Sequence, residues 1–285
     1  MTADKTLEDY RGQRLAFLTQ HGKEALVAPV LEPALGLRVE RVDGFDTDTL
    51  GTFTRDIPRA GTQLEAARRK ARLAIELSGA ALGLGSEGAF GPDPHAGLMP
   101  WNVELLVLVD TLHDLEVVGI AQGAAGNDHA LLRDEAALFA FAAQVGFPAQ
   151  RLVLRPDHED HPRLWKGLGE EGALRAAWCE ALAVSATGKV FAECDLRAHF
   201  NPSRQRMIAL AAADLLQRLR SSCPRCGRPG FVLQEVKRGL PCADCGLPTR
   251  EPIAEIRACA GCGAREERLL PAKAANPGRC DHCNP

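Results

Sequence analysis

Aromatic residues are scarce: they make up 5% of the 285 residues, with one tyrosine and three tryptophans. Stacking platforms for single-stranded nucleic acid therefore have few candidates. Charge of one sign is also lacking. The 34 Lys and Arg nearly balance 37 Asp and Glu, leaving a formal −3, which excludes a strongly basic chain that binds polyanions along its whole length. No run approaches the ~18 uncharged apolar residues of a membrane span, so no membrane association is expected. The segment Met1–Arg14 is polar and has no apolar signal core. A cytoplasmic location is expected, where thiols bind metals rather than pair with each other. Cysteine is almost missing from the first 220 residues, where only Cys179 and Cys194 occur. What remains is ordinary, with 46% hydrophobic and 25% charged residues, a globular composition that excludes disorder and simple coiled coil.

The other eight cysteines form four C-x2-C pairs: Cys223 with Cys226, Cys242 with Cys245, Cys259 with Cys262, and Cys280 with Cys283. Each pair lets two thiolates from one tight turn reach one metal, and Gly after the second cysteine in three of the pairs permits that turn. In chain order they read C-x2-C-x15-C-x2-C and then C-x2-C-x17-C-x2-C, both zinc spacings. Two structural zinc ions are expected, held by sequential ribbons, with interleaved ligation as the alternative. Four thiolates close the coordination shell, so no open position is left for catalysis. Residues 220–285 thus form a double zinc-ribbon domain with little core of its own, expected to unfold without metal. From Arg220 onward 11 Lys and Arg face 7 Asp and Glu, but each zinc tetrathiolate carries about −2. The metallated tail is then near neutral. Docking of a protein partner suits it at least as well as RNA or DNA.

Residues 1–219 alternate apolar runs with helical patterns. Strands are expected at 14–19, 37–42, 81–85, 103–109, 115–121, 151–154 and 189–194, the fourth and fifth as a hairpin. Helices are expected at 22–34, 62–77, 128–145, 170–184 and 203–219. Residues 43–61 read as a loop. The pattern predicts an α/β domain with a mixed, mainly parallel sheet flanked by helices.

Four places in this domain carry chemistry-bearing residues. Thr19 to Glu24 opens a helix, where free amides and Lys23 suit a phosphate, although a capped, solvated helix start explains them too. Glu65 lies in a first helical turn with Arg68, Arg69 and Arg72 at i+3, i+4 and i+7, equally a salt-bridged face. Ser86-Glu87-Gly88 ends a strand, where open α/β sheets bind ligands, and Glu87 is the acid to suspect of holding Mg²⁺. Asp195, Arg197, His199, Asn201 and Arg204 crowd one loop before the last helix, which Asn201 and Pro202 suit as a cap. The pair His158 and His161 reads as a surface loop, and Cys179 as buried filler.

The order of these residues resembles the inosine-triphosphate pyrophosphatase-like fold, the house-cleaning nucleotidases that include unusual-purine and Maf-type members. Thr19 and Lys23 are similar to that family's first loop, with His21 where Asn is usual. Glu65, Ala67, Lys70 and Ala71 match its helix, with Ala66 replacing Asn. Ser86-Glu87-Gly88 is similar to its acidic loop, and Ser203-Arg204 to its last element, without the His between. The resemblance implies Mg²⁺-dependent cleavage of a nucleoside triphosphate to a monophosphate and pyrophosphate. Thr19, Lys23, Lys70, Arg197, Ser203 and Arg204 would contact phosphates. Glu65 and Glu87 would hold Mg²⁺; Asp195, in the crowded loop before the last helix, is a further catalytic candidate outside the matched motifs. The zinc tail is no part of that pattern. The stretch 86–92, the loop 195–204 and the first two cysteine pairs together also resemble a bacterial family of unknown function. Two other readings stand beside the hydrolase: a non-enzymatic nucleotide-sensing adaptor, and a zinc-ribbon protein acting on RNA or DNA.

Overall fold

The computed structural model describes residues 3–44, 61–94 and 96–285. Most of the loop expected at 43–61, and His95 in the 88–100 stretch, lie outside the described residues. Contacts divide the chain into two units, residues 12–215 and residues 1–11 with 216–285.

The larger unit opens with β1 (Arg14–Leu18), α2 (Glu24–Leu35) and β2 (Arg38–Val42), following the short α1 (Ala3–Asp9) of the other unit. It continues with α3 (Gln63–Ser78), β3 (Leu82–Pro92), β4 (Pro100–Asp110) and β5 (Leu115–Ala124). The five strands form one sheet in the order β2-β1-β3-β4-β5. The pairings β1–β2 and β1–β3 are parallel, whereas β3–β4 and β4–β5 are antiparallel. A second sheet contains β6 (His129–Leu132), β7 (Leu152–Pro156), β8 (Trp165–Leu168) and β9 (Val190–Cys194). Its order is β6-β9-β7-β8, and every pairing is antiparallel. The sheet is thus mixed but not mainly parallel, against expectation. The physical reason is connection length: residues 93–99 and 111–114 are too short for crossovers and can join only antiparallel neighbours.

Two glycines in β3 set the packing on one sheet face. A Cβ on Gly83 or Gly85 would stand 2.1 or 1.8 Å from the carbonyl oxygens of Ala71 and Ala67. The small buried stripe Ala67, Ala71, Ala74 of α3 therefore rests almost on the strand backbone. Across the sheet, Gly119 does the same for α6 (Pro202–Arg220), where a Cβ would meet the Ala211 carbonyl at 2.4 Å. Strand alternation puts residues 83, 85 and 87 toward α3. Residues 84, 86 and 88, with their β4 partners 108, 106 and 104, face the α6 side.

The second sheet packs against α4 (Glu135–Val145) and α5 (Glu171–Val184) through Leu138, Leu152, Leu154, Leu174, Trp178 and Val190. The helix expected over 128–145 is strand β6 followed by α4. Asp134 breaks the pattern by capping α4, accepting from the Ala137 amide at 2.8 Å. The strand β8 was not expected, since four residues between a proline loop and Gly169 carry no periodic signal. Cys179 is exposed rather than buried filler, because α5 buries Leu174, Ala177, Trp178 and Ala181 on its other face.

In the smaller unit, β10 (Val232–Arg238), β11 (Pro252–Ala258) and β12 (Arg265–Leu269) form an antiparallel sheet in chain order. Among the described residues no helix is long and apolar enough to cross a membrane.

Candidate functional site

Strand β3 outruns its parallel neighbour. The β1 register ends with Phe17 opposite Leu84, so Ser86, Glu87 and Gly88 project beyond it while still paired to Leu106, Leu105 and Glu104 of β4. The acidic element expected as a loop is therefore the interior of an eleven-residue strand. The segment after β1 folds beside this projecting part. Thr19 and Lys23 are buried there, and the Lys23 ammonium donates to Ser86 Oγ at 3.0 Å.

Alternation sends Glu87 the opposite way from Ser86, to the α3 side, where its carboxylate is ion-paired with Lys70. On the α6 side, Arg204 Nε donates to Glu104 Oε1 at 2.7 Å, and both side chains are 1% exposed. Gly88 makes room for this pair, since a Cβ there would stand 2.3 Å from Glu104 Oε1 and 2.7 Å from Arg204 Nη2. Asn102 Nδ2 donates to Glu104 Oε1 at 3.2 Å and to the Ala89 carbonyl at 3.1 Å. The cap of α6 aims Arg204: its amide donates to Asn201 Oδ1 at 2.9 Å, as expected from Asn201-Pro202.

Burial, then the nearby Arg204, pulls the Lys23 pKa down to about 7, with Glu104 opposing and Lys70 adding to the fall. His21 stacks on His199, with ring centroids 5.0 Å apart. Burial first, then Lys23, His199 and two arginines, hold the His21 pKa at about 3. The His199 pKa is also lowered, by burial and by Arg197. Beyond burial, the His21 shift also reports the cations close to its ring, Lys23, Arg204 and Arg197.

Asp195 is otherwise engaged. Its carboxylate pairs with Arg197 at 2.6 Å and accepts the Gly167 and Arg197 amides at 3.0 and 3.1 Å. The Arg197 guanidinium lies 4.6 Å from the Phe200 ring centroid, so this pair orders the loop into α6. Ser203 is half-buried at the start of α6.

Glu65 is not brought to Glu87. It is exposed, and its carboxylate accepts from the Thr62 amide and hydroxyl, each at 2.8 Å, in the capping box of α3. Five residues of helix turn Glu65 about 140° away from Lys70, which faces Glu87. The donor set named for Mg²⁺ thus lies on two sides of α3. Sequence reading missed Glu104 and Asn102. Their signal was present: two polar residues two apart, leading into the apolar run Leu105–Val109.

The eight tail cysteines form two tetrads, Cys223, Cys226, Cys259, Cys262 and Cys242, Cys245, Cys280, Cys283, with the four ligand atoms of each within 4.8 Å of one another. The tetrads are interleaved rather than sequential: the first pair joins the third, and the second joins the fourth. The antiparallel hairpins β10–β11 and β11–β12 produce this by bringing alternate turns together. Sulfur separations of 3.6, 3.7, 3.8 and 3.6 Å match the ~3.8 Å edge of a tetrahedron with ~2.3 Å Zn–S bonds. Backbone amides of Cys245 and Asp244 draw the Cys242 pKa down to about 7. Its neighbour Cys283 is pushed up to about 12 by the cysteines beside it, Cys245 first. A central divalent cation removes that conflict, so the tetrads fit structural zinc.

A family model described as Domain of unknown function (DUF6671) matches residues 70–285. The matched part begins within α3 and includes Lys70, Glu87, Glu104, Arg204 and both tetrads. No curated protein matches the chain, and no solved structure does.

Proposed function

The chain belongs to the DUF6671 family, and from that premise we propose that its larger unit binds a nucleotide and cleaves its phosphoanhydride as a pyrophosphohydrolase. The observation that carries this reading is the gathering of three cations from three separate elements around the projecting end of β3. Lys23 precedes α2, Lys70 comes from α3, and Arg204 comes from α6. Lys23 lies close enough to both others to feel their charge. Lys70 and Arg204 would supply fixed charge to a phosphate, and Lys23 and Ser86 hydrogen bonds. The order of Thr19, Lys23, Lys70, Glu87 and Arg204 along the chain, similar to the inosine-triphosphate pyrophosphatase-like pattern, supports the same reaction class. Glu65 and Glu87 do not fit a shared Mg²⁺, so no step is assigned to protein-held magnesium.

A second reading, binding without turnover, is favoured by the state of the carboxylates. Glu87 and Glu104 are each neutralised by their own cation, which leaves neither ready to act as a base. In that reading the zinc-braced tail serves to dock a protein partner.

Purified full-length protein incubated with magnesium and a panel of standard, deaminated and oxidised nucleoside triphosphates separates the two. Pyrophosphate release, lost in Lys70→Met, supports the hydrolase. A nucleotide-induced rise in Tm without release supports the adaptor. Neither release nor a rise in Tm for any nucleotide would falsify the nucleotide site.

A further inference from the structure

The hydrolase reading leaves open what attacks the phosphorus. Asp195 is held by Arg197 and by two amides, Glu65 caps its helix, and Glu87 and Glu104 are ion-paired. One nucleophilic side chain at the site has a base against it: Ser86 Oγ lies 3.0 Å from Lys23 Nζ, and both side chains are buried. We propose that Ser86 and Lys23 form a nucleophile–base dyad that attacks the phosphorus of a bound phosphoanhydride. The proposal rests on the reading of the site as one for a phosphorylated ligand.

The geometry meets the demands of such a dyad. A serine hydroxyl is a weak nucleophile unless a base within about 2.6–3.2 Å takes its proton. A lysine can be that base only if its surroundings favour the neutral amine. Lys23 is buried, and the cations facing it are Arg204 from α6 and Lys70 from α3. The opposing carboxylates, Glu104 from β4 and Glu87 from β3, are each shared with a cation of their own, and His21 on its own segment is neutral. The resulting Lys23 pKa of about 7 lies in the range where a general base is most effective.

The chemistry balances without a further reagent. The neutral amine of Lys23 takes the hydroxyl proton of Ser86 and becomes an ammonium. Ser86 Oγ bonds to phosphorus, and the bond from phosphorus to the leaving oxygen breaks, its electron pair going to that oxygen. The ammonium then returns its proton to the leaving group. Water, deprotonated by Lys23, then bonds to phosphorus, the bond from phosphorus to Ser86 Oγ breaks, and the Lys23 ammonium returns the proton to Oγ, restoring both the hydroxyl and the amine. Arg204, on the same side of the sheet as Ser86, is the cation placed to hold charge that develops at phosphorus.

A fluorophosphonate probe tests this without a known substrate, since it phosphonylates an activated serine with loss of fluoride. Full-length zinc-loaded protein should carry one adduct on Ser86, located by peptide mass spectrometry. The labelling rate should rise with pH about a midpoint near 7. It should fall about 100-fold or more in Lys23→Met and in Lys23→Arg, which stays charged, with circular dichroism verifying the fold. No Ser86 adduct well above the midpoint overturns the dyad, as does a rate unchanged by Lys23→Met. Should the Lys23 variants not fold, a flat pH profile in the wild type overturns it equally. Labelling without any nucleotide-induced rise in Tm keeps the dyad and removes the nucleotide. A rise in Tm without labelling does the reverse.

Discussion

His21 is a residue whose surroundings decide its charge. Burial and the cations near it lower its pKa from 6.5 to about 3 in the folded chain, while the unfolded chain keeps the ordinary value. Between those two values the unfolded state binds the proton and the folded state does not, so stability falls as pH falls through that window. Above about pH 6.5 the group has no effect on stability. Urea unfolding at about pH 7 and about pH 5 should show a loss on acidification that is smaller in His21→Gln, whose side chain cannot charge. Equal losses in the two proteins would mean that His21 takes up its proton when folded. Glu104 shows a related constraint. Its Oε2 and the Oδ1 of Asn102 are buried and make no hydrogen bond within the described residues, so among those residues the direct ion pair of this carboxylate is the one with Arg204. Such a pair gives little net stability, but losing one partner is expensive, about 3–5 kcal/mol.

At the scale of elements, the contact of α3 with β3 depends on hydrogen in place of a side chain. Gly85→Ala would put a methyl 1.8 Å from the Ala67 carbonyl, a backbone atom that cannot turn aside. The expected cost is at least the ~1–3 kcal/mol of an overpacked core, read as a drop in the urea midpoint. Gly91→Ala, in the same strand with nothing within 4 Å, should be neutral or slightly stabilising. If both variants unfolded alike, close helix–strand packing would not be the reason for glycine at position 85. This strand also shows where sequence reading stops. The helix at 62–77 and the hairpin of β4 with β5 were legible because their apolar periods are long and regular. The reach of β3 to Pro92 was not, because Gly85, Gly88, Gly91 and Pro92 carry turn chemistry that pairing with β4 overrides. As a result Ser86 and Glu87, neighbours in a supposed loop, face opposite sides of a sheet. Lys23, Lys70 and Arg204 stood out in the sequence as cations in or beside recognisable helices and their caps, whereas Glu104 lay in what read as an ordinary strand.

For the whole molecule, the cysteines give the clearest test of architecture. Two zinc ions per chain are expected by elemental analysis. Interleaved ligation predicts that Cys226→Ser with Cys259→Ser removes one zinc and leaves the other, because both residues serve one tetrad. Sequential ribbons would lose both metals in that double variant. Spacing could not have decided this in advance. The interleaved loops, residues 227–258 and 246–279, are roughly twice as long as the sequential ones, and a doubling costs only about 0.6 kcal/mol of closure entropy. Against ~10–16 kcal/mol of zinc binding, that difference selects nothing. The choice is made by pairing of β10, β11 and β12, which the exposed, charged outer strands β10 and β12 do not announce.

Interleaving also sets a timetable for synthesis. A sequential ribbon would close its first site once Cys245 had emerged from the ribosome. Here Cys223 and Cys226 must wait for Cys262, and Cys242 and Cys245 for Cys283. A nascent chain therefore holds four open thiols through the making of β11, and for that interval it depends on the reducing power of its surroundings rather than on metal. A chain cut before Cys259 would complete neither tetrad, so partial products that short carry no finished zinc module for a quality-control system to spare.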